Sequence, residues 1–239
     1  MQAQERIILA LDVDSAEQAI RLVQDLSGHV GAFKVGMQLY NSTGPDIIRR
    51  INDLGGKVFI DLKFHDIPNT VAAAARVITR HNCFMFNVHA AGGREMLKAA
   101  ARAVEEEAAK LGIEVPVVLA VTVLTSISQQ ELESEMCISG IPIEDLTVKW
   151  ALMSKECGIS GVVCSPREIK AIRNACGKEF TIVTPGIRPS WSAKNDQKRI
   201  TTPREAVDLG ADYIVIGRPI TGSPEPRQAA DMIIEELEA

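Results

Sequence analysis

Two carboxylates and a lysine stand close together in Asp61-Leu62-Lys63-Phe64-His65-Asp66, directly behind the apolar run Val58-Phe59-Ile60. Side chains alternate faces along a strand, so Asp61 and Lys63 are expected to point the same way. Asp66 follows within one turn, before a helix start at Pro68-Asn69. A lysine beside carboxylates stays ionised, and an ionised lysine can stabilise a negative centre or donate a proton to it. The motif is not isolated. Asp12 ends the apolar run from Arg6, Lys34 interrupts Ala32-Phe33-Lys34-Val35-Gly36, and His89 closes Phe84 to Val88. Thr125-Ser126, Arg188 and Gly217-Arg218 each follow a further apolar run. A polar set that recurs at the ends of apolar strands is what an active site at one rim requires.

The elements that must carry these residues alternate regularly. Eight short apolar or β-branched runs are expected as strands: Arg6–Asp12, Ala32–Gly36, Phe59 onward, Phe84–His89, Pro116–Val123, Ser160–Cys164, Phe180–Thr184 and Asp212–Ile216. Each is followed by a helical pattern. Asp14 with Glu17 reads as a cap and its capping-box partner for the first helix, with Ala16, Ala19, Ile20, Val23 and Leu26 at helical spacing. The second starts near Pro45, carries Ile47, Ile48, Ile51 and Leu54, and stops at Gly55-Gly56. The third starts at Asn69 with Val71, Ala74, Ala75 and Ile78 inward. The fourth follows Gly92-Gly93, turns Met96, Leu97, Ala100, Val104 and Leu111 inward, and presents Glu105, Glu106, Glu107 and Lys110 to water. Ser128 with Glu131, Ser165-Pro166-Arg167-Glu168 and Thr202-Pro203-Arg204-Glu205 read as further capped starts.

Eight strand–helix units of about 30 residues, with no low-complexity linker, predict a parallel sheet closed as a single-domain (β/α)8 barrel over residues 1–239. A doubly wound open sheet is the alternative, but no GxGxxG follows the first strand and no P-loop occurs. In a barrel of this kind the active site lies at the C-terminal strand ends, with phosphate often bound by the loops after strands seven and eight. There Gly217 lets a ligand approach the backbone, and Arg218 offers a planar, permanently charged fork. The polar segment from Gly186 to Thr201, with Arg188, Lys194 and Gln197, has neither helix nor strand pattern and is expected to act as a lid.

Composition narrows the partners. Hydrophobic residues make up 46% of the 239, enough for one sizeable core. A net charge of -5, with no basic run, disfavours nucleic acid. No apolar run of the 18-residue class that could span a membrane occurs, and no signal peptide is expected, since the sequence runs directly into the first strand. Five scattered cysteines without CxxC spacing fit reduced thiols in a cytoplasmic protein. No metal site emerges, since His65, Asp66 and His89 share their pocket with Lys34 and Lys63, whose charge repels a cation. The two histidines are expected to be structural hydrogen-bonders.

The whole set then resembles one known family. Leu11-Asp12, Phe33-Lys34-Val35-Gly36, Asp61-x-Lys63-x-x-Asp66-Ile67-Pro68-Asn69-Thr70, Leu124-Thr125-Ser126, Pro185-Gly186-Ile187-Arg188-Pro189 and Gly217-Arg218-Pro219-Ile220 resemble orotidine 5′-phosphate decarboxylase in order and spacing over nearly the whole chain. The resemblance implies conversion of orotidine 5′-monophosphate to UMP and CO2 in pyrimidine biosynthesis, without cofactor or metal. By position, Lys34, Asp61, Lys63 and Asp66 resemble the family's charged tetrad, with Lys63 as the proton donor to C6. Asp12 and Lys34 resemble its ribose contacts, and Thr125 and Ser126 its contacts near the pyrimidine. Arg188, Gln197, Gly217 and Arg218 resemble its phosphate and lid group. Asp66, Ile67 and Thr70 resemble residues that reach into a neighbouring subunit's site, which implies a homodimer with shared active sites. The length fits the free-standing bacterial type. Two alternatives stand beside this reading. Mg²⁺-dependent sugar-phosphate barrels (hexulose-phosphate synthase or ketogulonate-phosphate decarboxylase) share DxKxxD but carry a Glu where Lys34 stands. A non-catalytic nucleotide-binding barrel would bind UMP without turnover.

Overall fold

Eight parallel strands pair in sequence order and close on themselves in the computed structural model, which describes residues 1–192 and 201–239. They are β1 (Ile7–Ala10), β2 (Ala32–Gly36), β3 (Val58–Phe64), β4 (Met85–His89), β5 (Val117–Val121), β6 (Gly161–Val163), β7 (Thr181–Thr184) and β8 (Tyr213–Ile216), and β8 pairs back to β1. The outer layer is α1 (Ala16–Leu26), α2 (Met37–Thr43), α3 (Asp46–Asp53), α4 (Pro68–Arg80), α5 (Gly93–Leu111), α6 (Gln129–Ser134), α7 (Ile143–Glu156), α8 (Ile169–Cys176), α9 (Pro203–Leu209), α10 (Arg218–Thr221) and α11 (Pro226–Glu238). The architecture is the expected (β/α)8 barrel and not an open sheet.

Strand alternation divides the core in two. Inward residues, among them Ile8, Ala32, Phe59, Met85, Leu119 and Val183, fill the barrel as a compact apolar plug. The alternate residues, such as Ile7, Leu9, Val35, Ile60 and Phe86, face the helices and join α1, α3, α4 and α5 in the larger outer core. Above the plug, the next inward positions are polar: Lys34 on β2, Asp61 on β3 and Asn87 on β4. No helix among the described residues is long and apolar enough to cross a membrane.

Local signals and structure differ in several places. Ser15, not Asp14, caps α1 by accepting the Gln18 N–H, while Asp14 accepts from Gln38 Nε2 at 2.7 Å. Both residue types cap well, so the choice falls to whichever the chain leaves extended. Helix α2 has no signature in the sequence: it lacks a capping side chain and buries only Leu39, so it has no apolar stripe to read. The Ser128–Glu131 and Thr202–Glu205 capping boxes are present as expected. Around Ser165, only the Glu168 side chain reaches back, to the Ser165 N–H at 2.8 Å; residues 166–168 form a turn and α8 begins at Ile169. Leu54 and Leu111 are 37% and 47% exposed, because each sits at a helix end where the chain leaves the core. Glu107 is the reverse case: it is buried between α4 and α5, where Arg80 Nε donates to it at 2.6 Å.

Candidate active site

Above the plug, Lys34 and Asp61 border a cavity of about 410 Å³ at the C-terminal strand ends. Its floor is apolar, formed by Ala10, Phe59, Val121, Val163 and Val215. Asp12, Lys34, Asp61 and Lys63 make one wall, and Thr125, Arg188, Gly217 and Arg218 also line the cavity, with Gly217 beside Asp12. A volume of this size suits a ligand of nucleotide dimensions.

The charged wall is continuous. Lys34 Nζ lies 3.2 Å from Asp12 Oδ1 and 3.4 Å from Asp61 Oδ2, and Lys63 Nζ lies 2.6 Å from Asp61 Oδ1. Asp12 is outermost, its side chain 60% exposed, whereas Lys34 and Asp61 are 12% and 16% exposed. Burial works to raise the Asp61 pKa. The charges of Lys34 and Lys63, with hydrogen bonds from Lys63 and Asn87, overcome it and hold the carboxyl below the ordinary carboxylate range. The four groups sum to zero, which is how two ammonium groups share so small a space.

Two glycines make that space. A Cβ at Gly36 would come within 3.0 Å of Lys34 Nζ, and one at Gly217 within 3.3 Å of the Ala10 Cβ. Either would press on the wall or the floor.

Lys63 reaches Asp61 by a route that strand alternation does not supply. Its backbone is left-handed, with φ +53°, and the β3–β4 pairing shifts between Ile60 and Phe64. The Lys63 N–H is bonded by Asn87 Oδ1 at 2.7 Å, and Asn87 Nδ2 donates to Asp61 Oδ1 at 2.7 Å. Sequence reasoning missed Asn87. The available signal was a polar residue at an inward position of the otherwise apolar strand Met85-Phe86-Asn87-Val88.

Other expected site residues are less uniformly gathered. Thr125 lines the cavity, while Ser126 lines an adjoining recess of about 690 Å³ beside Ser128 and Arg167. Arg188 and Arg218 border the main cavity and a second recess of about 390 Å³ with Trp191 and Ser223. Among the described residues neither guanidinium has a carboxylate partner. The base of the expected lid is pinned, since Arg188 N–H donates to Thr201 O at 3.1 Å. Lys194 and Gln197 lie outside the described residues. Asp66, Ile67 and Thr70 are exposed and line no described cavity; Asp66 accepts only the neighbouring Ile67 N–H, at 2.6 Å, and Ile67 is 67% exposed. The alternating chain of charge within this protomer is therefore Asp12-Lys34-Asp61-Lys63, without Asp66.

His65 and His89 stack at 5.1 Å, and His89 meets Trp150 edge-on at 6.3 Å. Burial, then the charges of His65 and Lys63, push the His89 pKa down to about 4, and its Nδ1 accepts the Ala91 N–H at 3.2 Å as a neutral ring does. Among the described residues no group of three or more His, Cys, Asp or Glu side chains could hold a metal ion.

The profile of the orotidine 5′-phosphate decarboxylase / HUMPS family matches residues 5–233. The chain is 70% identical to the orotidine 5′-phosphate decarboxylase of Syntrophomonas wolfei over 238 residues, covering all of both proteins. It is 53% identical to that of Moorella thermoacetica, covering 100% of this chain and 94% of the relative. Among solved structures, orotidine 5′-phosphate decarboxylase from Lactobacillus acidophilus superposes with a TM-score of 0.86 at 38% identity, covering 98% of this chain and 99% of the other. The enzyme from Pyrococcus horikoshii superposes with a TM-score of 0.77 at 29% identity, with the same coverage.

Proposed function

The chain belongs to the orotidine 5′-phosphate decarboxylase / HUMPS family, and from that premise we propose that it converts orotidine 5′-monophosphate to UMP and CO2, without cofactor, as a cytoplasmic homodimer. The observation that carries this reading is the neutral, alternating wall Asp12-Lys34-Asp61-Lys63 beside an apolar floor. A Mg²⁺-dependent sugar-phosphate enzyme would need an acidic set there, and Lys34 sits in its place with both neighbouring carboxylates engaged.

Loss of CO2 from C6 of the pyrimidine leaves an electron pair in the ring plane, where no ring orbital delocalises it. With no electron sink, stabilisation must come from fixed charge. The Lys63 ammonium supplies that charge and then gives its proton to C6, recovering one from solvent after turnover. General acid catalysis contributes about 10²–10⁴-fold, whereas the most proficient enzymes need about 10¹⁷-fold. Proton transfer is therefore a minor share. The rest comes from charge held ready at Asp61 and Lys34 and from binding energy at the phosphate. Arg218 and Arg188, without carboxylate partners among the described residues, suit a phosphate in the cavity they share with Lys63. Asp12 and Lys34 suit the ribose hydroxyls, and Thr125 and Ser126 the pyrimidine edge, with Gln197 as a lid contact. Asp66, Ile67 and Thr70, which face outward here, complete a partner subunit's site. The exposure of Ile67 supports such an interface.

The test is to add purified protein to orotidine 5′-monophosphate with excess EDTA and follow the orotate chromophore. Its loss with UMP as product is expected. No loss from a folded protein would turn the assignment to the metal-dependent sugar-phosphate enzymes, and tight UMP binding without turnover to a nucleotide-binding barrel.

A further inference from the structure

We propose that Asn87 is a positioning residue for the reaction: one buried amide that sets both the backbone of Lys63 and the carboxylate its ammonium leans on. The inference rests on the decarboxylase reading and adds to it a residue that does not touch substrate. Asn87 is 1% exposed and does not line the cavity.

Strands β3 and β4 pair regularly as far as Ile60 with Phe86, and pairing resumes at Phe64 with Val88. Four residues of advance on β3 thus match two on β4, so β3 carries two extra residues as a bulge. A bulge takes backbone groups out of the ladder, and a buried N–H without a partner is costly. The Lys63 N–H is one such group, at a residue whose φ of +53° a lysine rarely adopts. Asn87 Oδ1 accepts it at 2.7 Å and so replaces the missing ladder bond.

The other half of the same amide faces Asp61. Asn87 Nδ2 donates at 2.7 Å to Asp61 Oδ1, the oxygen that also receives Lys63 Nζ at 2.6 Å. The orientation of the amide is forced, because its oxygen meets a donor and its nitrogen a carboxylate. Three hydrogen bonds therefore close a loop through the Lys63 backbone, Asn87, Asp61 and the Lys63 ammonium. Among the described residues no other side chain bonds both the Lys63 N–H and the carboxylate that holds its ammonium. Without Asn87 the bulge can relax toward regular pairing, which swings the Lys63 side chain away from the cavity. Asp61 also loses one of the hydrogen bonds that hold it ionised.

Two variants and one measurement on the unaltered protein test this. In Asn87→Ala, kcat is expected to fall on the order of 10²-fold, the scale of a misplaced reacting group. Affinity for UMP should change little, since the arginines are untouched. In Asn87→Asp, the introduced carboxyl can replace both bonds only when protonated, as O–H donor and C=O acceptor. Beside Asp61 its pKa is raised. The ratio of variant to wild-type kcat should therefore rise as pH falls from about 8 to about 5, which generic loss of packing does not produce. Wild-type kcat in Asn87→Ala, or a flat ratio across pH in Asn87→Asp, overturns the proposal. If the alanine variant does not fold, the aspartate variant decides, because its protonated form nearly matches the amide in shape. Hydrogen exchange of the Lys63 amide in the unaltered protein reads the bond without any turnover. Protection is expected, and exchange at the rate of an open loop refutes the bond even if the substrate assignment has failed for other reasons.

Discussion

Replacing Lys63 by glycine should leave a barrel that is inactive but more stable than the corresponding alanine variant. Both substitutions delete the ammonium, and with it the contact to Asp61 at 2.6 Å. In both, Asp61 keeps Lys34 at 3.4 Å and Asn87 at 2.7 Å, so neither leaves a buried carboxylate without partners. What separates the two is the backbone. At φ +53° a Cβ is strained against the chain, costing about 1–2 kcal/mol. Glycine escapes that cost but loses about 0.5–1 kcal/mol to its greater freedom when unfolded. The balance favours glycine by about 0–1.5 kcal/mol, or up to about 6 °C in Tm for a domain of this size.

The sign is the informative part. At an ordinary strand position glycine is less stable than alanine, so a regular β3 predicts the opposite order. Thermal unfolding of the two variants, followed by circular dichroism, decides it. An alanine variant that melts higher would refute the left-handed backbone at Lys63 and the account of how the lysine is aimed. In the same preparations kcat should fall by at least about 10²–10⁴-fold, the scale of lost proton transfer alone. Residual turnover near wild type would remove Lys63 from its role.

Arg218→Ala should raise KM for orotidine 5′-monophosphate by about 10- to 100-fold, the value of one charge-assisted hydrogen bond; an unchanged KM in initial-rate assays would refute the phosphate assignment. Mixing Asp66→Asn with Lys63→Ala under conditions that exchange subunits should restore activity, because one hybrid site regains both residues. No recovery with exchange demonstrated counts against shared sites. Stability should decline with acid in two windows, both of the depressed-pKa kind. His89, ordinary when unfolded and near 4 when folded, contributes stability that is complete above about pH 6.5 and lost as pH falls toward 4. Asp61 contributes above its unfolded value of about 3.9 and loses that contribution below it. Denaturant titrations of His89→Asn and Asp61→Asn should each flatten the matching window and leave the other.

The barrel was legible because its signals are local and repeated: short apolar runs, glycine or proline punctuation, and capping boxes such as Ser128 with Glu131. What was not legible depended on tertiary contact or on near-equal local choices. Asp14 and Ser15 are adjacent residues of the same capping class, and only the folded chain selects between them. Glu107 reads as one more solvated acid until α4 brings Arg80 to it. Asn87 is a single polar residue in an apolar run, and its meaning lies across the sheet in β3. Asp66 reads as part of the same cluster as Asp61 and Lys63, yet the chain carries it outward beyond the strand end.

The pairing of Asp61 with Lys63 shows how a correct contact can follow from an incomplete argument. Simple alternation sets residues i and i+2 on one face about 6.6 Å apart, side by side and parallel. That arrangement leaves the lysine free to extend past the carboxylate into solvent. The bulge instead turns the Lys63 backbone left-handed, so the ammonium folds back to 2.6 Å from Asp61 and faces the cavity. The strand pays in strain and in lost ladder bonds, and Asn87 offsets part of both. Backbone strain of this kind persists only where surrounding structure over-determines it. It follows that substitutions which regularise β3 should stabilise the barrel while disarming it. Screening β3 and β4 variants for higher Tm should therefore recover inactive proteins more often than the same screen applied to β6 and β7, whose pairing is regular throughout.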